Sequence, residues 1–309
     1  MKRFLSLLLV LTLAVAVFAG CGKNKDEAPE EKTYSLATGV VATATLGSSK
    51  IALTVASIVT DKDGKIVLCR LDCAEYSAYN SQGNLVETAP TSKAALGDAY
   101  AMPSGSWLKQ ASALESFVVG KTQAEVAATA LDGGKATSTE LTSSCTMAIT
   151  DLLKAIDNAF KSEHKVSFKS TATSFTAGLS AVGSIKITEN DTSVDAKYSA
   201  TFATAILAEG KVVAAILDTA EPTLKEVVKG DGALSLEYAG SKREQGDAYD
   251  SYSPMPAGRW YAQADAYAMS AVGKGASDIA TLATEGVAGC TIGVTSYKAA
   301  LEAAVKTAR

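Results

Sequence analysis

Two short segments hold the residues best suited to chemistry. Glu140-Leu-Thr-Ser-Ser-Cys-Thr146 and Glu285-Gly-Val-Ala-Gly-Cys-Thr291 each set an acid, a turn of small residues and a Cys-Thr pair ahead of a predicted helix. Unpaired N–H groups at a helix start attract phosphate, and small side chains let the backbone approach it. Gly289 gives the second segment the freer backbone for such an approach, where Ser144 stands in the first. The plainer reading is a turn that caps a helix. Cys145 and Cys290 invite a reading as thiols activated by a helix start, against that of small buried side chains. A Cys145–Cys290 disulfide stands as a further alternative in an exported protein. The single histidine, His164, denies each segment a His base of its own, and histidine metal clusters are excluded. Cys69 and Cys73 are four apart, about 13 Å on an extended strand, beyond disulfide reach without a bend.

The elements that must position these residues occur twice. Lys65 to Glu75 matches Lys211 to Glu221, and Ser92-Lys93 with Gly97-Asp98-Ala99-Tyr100 matches Ser241-Lys242 with Gly246-Asp247-Ala248-Tyr249. Trp107 to Lys121 matches Trp260 to Lys274, and Cys145-Thr146 matches Cys290-Thr291. The copies run from about Thr33 to Phe160 and from about His164 to Arg309, and two copies make a tandem pair rather than a solenoid. Ala52 to Val59 and Lys65 to Leu71 read as strands joined by an Asp/Gly turn, as do Ala200 to Leu207 and Lys211 to Leu217 around Glu209-Gly210. Trp107, Ala111, Leu114 and Val118 recur at helical period, as do Trp260, Ala264, Tyr267 and Ala271, with Gly120 and Gly273 placed as C-terminal stops. Thr150 and Thr295 are the expected N-caps of the two last helices. Strands first and helices later in each copy predict an α+β unit with antiparallel sheet.

The N-terminus carries a different signal. Lys2 and Arg3 precede an apolar run from Phe4 to Phe18, the pattern of an export signal over residues 1–20. Val17-Phe18-Ala19-Gly20-Cys21 resembles the cleavage box of bacterial lipoproteins, which implies acylation of Cys21 and a chain anchored to the extracytoplasmic face of the cell membrane. Residues 21–32 are polar or small and read as a flexible tether. Losing Lys2 and Arg3 leaves 27 basic against 33 acidic residues, so the formal charge of -4 becomes -6. The chain thus offers no positive field for nucleic acid and gains little from anionic headgroups.

The order of hairpin, Gly-Asp turn, aromatic helix and threonine turn resembles that of bacterial FMN-binding domains. That resemblance implies FMN held at, or joined through phosphate to, Thr146 and Thr291, with Ser143, Ser144 and Gly289 lining the turn. The chain departs from the family pattern in having Glu140 and Glu285 where the attachment motif begins with Asp, and Cys145 and Cys290 where Ala or Ser stands. Trp107, Trp260, Tyr100, Tyr249 and Tyr267 are flavin-stacking candidates or core anchors. Two functions compete: a flavin-carrying electron-transfer lipoprotein, at most a redox carrier, and a cofactor-free envelope lipoprotein whose copies bind a ligand or protein. A flavin site predicts an open pocket between the Cys-Thr turn and the Trp helix, whereas a packed contact there favours the second reading.

Overall fold

The computed structural model describes residues 30–79, 83–85, 92–189, 194–227, 232–252, 255 and 257–309. The export signal, Cys21 and most of the tether lie outside these residues. Among them, β1 (Lys32–Thr45), β2 (Lys50–Thr60) and β3 (Ile66–Ser77) form an antiparallel meander. Then come α1 (Lys93–Leu96), α2 (Trp107–Val118), α3 (Gln123–Ala127), the ribbon β4 (Leu131–Asp132) and β5 (Lys135–Ala136), α4 (Thr139–Thr142) and α5 (Thr150–Lys161). The strand β6 (Val166–Ser170) returns to the free edge of β1, pairing Leu36 with Val166, so the first sheet has the order β3-β2-β1-β6.

A second meander follows from β7 (Thr176–Glu189), β8 (Val194–Ala208) and β9 (Lys211–Ala220), extended by β10 (Thr223–Val227) and β11 (Ser235–Glu237). Its helices are α6 (Lys242–Gln245), α7 (Asp247–Tyr252), α8 (Trp260–Met269), α9 (Ala276–Ile279) and α10 (Thr295–Lys306). After α10, Arg309 exchanges both backbone hydrogen bonds with Ala177 of β7. The class is α+β with antiparallel sheets, as the order of elements predicts.

Alternation along the strands builds the layers. On β2, Ile51, Leu53, Val55 and Val59 are buried against residues of the second sheet, while Ala56 and Ile58 join Trp107, Leu114, Leu152 and Ile156 on the helical side. The second sheet does the same, with Leu179, Tyr198 and Phe202 inward and Leu217, Tyr267 and Leu301 on the helical side. Two sheets thus lie face to face between two helical layers, with α2 and α5 on one outside and α8 and α10 on the other. Near the middle of the sheet interface, Ser57 and Thr204 meet with Oγ and Oγ1 2.6 Å apart, and Thr38 Oγ1 lies 3.2 Å from Ser57.

Alanines on α5 and α10 let these helices sit close to the sheets. At Gly39 a Cβ would strike Ala155 O and Ala159 N, and at Gly178 it would strike Ala304 O. Three local expectations are corrected. The N-caps are Ile149 and Val294, without side-chain capping bonds, so Thr150 and Thr295 are first helical residues instead. Lys32 already belongs to β1, and Val166 to Ser170 complete the first sheet. Cys145 and Cys290 are free thiols in separate cores, so no disulfide joins them.

Candidate functional site

Both Cys-Thr turns are held by a glutamine one helical turn into the Trp helix. Gln110 Oε1 accepts from the N–H groups of Thr146 at 2.9 Å and Met147 at 3.0 Å, and from the Thr146 hydroxyl at 3.3 Å. Gln263 Oε1 accepts from Thr291 N at 2.8 Å and from its hydroxyl at 3.0 Å. The amide ends donate to Gly105 O and Gly258 O, which completes each clamp. Gln110 and Gln263 are 1% and 0% exposed, so these bonds satisfy groups that water does not reach. The repeated Trp107-Leu-Lys-Gln110 and Trp260-Tyr-Ala-Gln263 carried the signal for this pair, which the periodicity argument passes over because glutamine is polar.

Other backbone donors of the turns bond within the turn. Ser144 N and Cys145 N donate to Leu141 O, and Cys290 N donates to Val287 O. Gly289 has φ of +77°, a conformation suited to glycine, whereas Ser144 in the first turn is not among the positive-φ residues. The N–H groups of Thr146, Met147 and Thr291, which a phosphate seated at these turns would meet, are committed to glutamine oxygens. Burial pushes the Cys145 and Cys290 thiols up, against thiolate chemistry. Cys69 and Cys73 are buried on the helical side of β3, and burial raises both, Cys73 to about 11. Trp107, Trp260 and Tyr267 are core residues, while Tyr100 and Tyr249 are half-buried beneath the ammonium groups of Lys93 and Lys242 at 4.9 and 4.8 Å.

A second repeated arrangement centres on two buried carboxyls. Asp72 Oδ1 accepts from Cys73 N and from Ala94 N of α1 at 3.0 Å; Asp218 Oδ1 accepts from Thr219 N and from Arg243 N of α6 at 3.1 Å. Ser92 and Ser241 cap the same short helices through Ala95 N and Glu244 N. Each aspartate is 1% exposed and leaves Oδ2 without a hydrogen bond. Desolvation pushes both carboxyls up to about 6.

A cleft of about 620 Å³ lies where the end of α5 meets α6, α7 and α8. His164 stacks on Tyr261 with ring centroids 3.8 Å apart and planes at 21°. Arg243, 1% exposed, fixes this junction: Nε donates to Leu217 O, Nη1 to His164 O, and Nη2 lies 2.6 Å from Asp265 Oδ1. Glu244 ties α6 to the first sheet by accepting from Val40 N at 3.0 Å. The Cys-Thr turns are absent from this cleft's lining, so the structure brings the sole histidine to this cleft and leaves Ser143, Ser144, Thr146, Gly289 and Thr291 elsewhere. Among the described residues no group of three or more His, Cys, Asp or Glu is arranged to hold a metal ion, and no helix is long and apolar enough to cross a membrane. No family model, curated protein or solved structure matches this chain.

Proposed function

We propose that the chain is a lipid-anchored binding protein of the extracytoplasmic face, attached through Cys21, whose small-molecule site is the cleft around His164. The observation that carries this reading is the cleft itself. Its volume falls within the range of small-molecule sites, and its walls come from both halves of the chain around a buried, fully engaged arginine. The packed Gln110–Thr146 and Gln263–Thr291 contacts are of the kind that favours the cofactor-free reading over the flavin reading. What favours an FMN-carrying electron-transfer role is the repetition of the Cys-Thr turn ahead of both last helices.

Two measurements test this. Cys21→Ser should move the chain from the membrane fraction to the medium, and retention in the membrane would sink the lipid anchor. The visible spectrum of the purified chain, alone and after incubation with FMN, should show no flavin bands. Bands that survive denaturation and vanish in Thr291→Ala would replace the binding role with covalent flavin carriage.

A further inference from the structure

The charges lining the His164 cleft are unevenly matched. Lys161 is paired with Asp157 at 2.6 Å, Arg243 with Asp265 at 2.6 Å, and Asp247 with Arg259 at 3.1 Å. The carboxylates of Glu163 and Glu244 have no cationic partner among the described residues. Glu244 accepts two backbone N–H bonds, from Val40 and Ser241, and a carboxylate has room for further donors. Beside them stands the His164–Tyr261 stack, whose aromatic faces favour a cation, and Tyr261 is only half-buried. A free anion entering this cleft meets two carboxylates and no unpaired lysine or arginine, whereas an ammonium group meets two acceptors and an aromatic wall.

From this we infer that the cleft takes an organic cation, an amine protonated at neutral pH on an apolar or aromatic body, with Glu163 and Glu244 receiving the ammonium and Tyr261 its hydrocarbon part. The inference rests on the cleft being the ligand site. A matched series separates the two claims: phenylethylamine as cation, phenylalanine as zwitterion and phenylacetate as anion differ mainly in charge. His164 is the sole histidine, so its imidazole signal in the NMR spectrum of the whole chain reports the cleft without ambiguity. Phenylethylamine should shift that signal saturably, and phenylacetate should not. Glu163→Gln, on an exposed residue whose side chain makes no hydrogen bond among the described residues, should weaken the amine about fivefold, the upper end for a solvent-screened pair. Glu244→Gln should weaken it too, with the circular dichroism melt checking that its backbone bonds survive. A saturable shift with phenylacetate or phenylalanine but not with the amine would overturn the cation assignment and keep the cleft as a site. An imidazole signal unmoved by all three, and by spermidine, would overturn both.

Discussion

At the scale of single residues, the buried carboxyls of Asp72 and Asp218 make stability depend on pH. Both carboxyls are raised to about 6 by desolvation, above the unfolded value of about 3.9. The folded state therefore binds more protons than the unfolded state between these values. The associated stability is complete below about pH 4, is lost as pH rises through 6, and is level above. A shift of about two units corresponds to about 3 kcal/mol for each group. Urea midpoints measured from pH 4 to 7.5 should fall across pH 4 to 6.5, and Asp72→Asn with Asp218→Asn should flatten that fall. An unchanged slope in the double variant would remove the two aspartates as its source. Neither residue stands out in the sequence, since a Leu-Asp pair ending a strand looks like a surface turn. Its burial follows from α1 and α6 folding back over the sheet edge, which no local pattern announces.

At the scale of elements, close approach of helix and sheet is set by single glycines. Gly178 of β7 lies against the backbone of α10, where the alanines 300 and 304 remove any spacing side chain. Gly178→Ala should cost about 2 kcal/mol or more by forcing α10 off the sheet. Gly293→Ala, with no atom within 4 Å of an added Cβ, should leave the thermal midpoint within a degree or two. Equal midpoints for the two variants would show that α10 gives way freely. The Trp helices and the hairpins β2–β3 and β8–β9 were legible because their periods are clean. The long strands β1 and β7 were not. Their Gly, Ala and Ser carry weak strand preference, and they fold as strands because β2 and β8 offer full-length edges and α5 and α10 cover them. The turns were placed correctly in sequence, yet their use of Gln110 and Gln263 was hidden, because a side chain 36 or 28 residues upstream supplies the acceptor.

At the scale of the whole molecule, the two meanders bury their inner faces only against each other. Residues 30–170, expressed alone, would expose Leu36, Val40, Leu53, Val55 and Val59. Sedimentation should find this piece self-associated rather than monomeric, and a stable monomer with native circular dichroism would show that each half is self-sufficient. The matched residues of the two halves meet in the middle of this interface. Ala56 opposes Leu71 and Ala203 opposes Leu217, which makes Ser57 and Thr204 counterparts that touch. Counterparts in contact cannot play identical parts in a hydrogen bond, since one must give the proton and the other receive it. Thr38 is joined to Ser57 as well, so Ser57 either passes a proton along the three hydroxyls in one direction or accepts from both threonines. In either arrangement Ser57 and Thr204 take unlike parts in the bond they share, so this central seam is where matched residues of the two halves are obliged to differ.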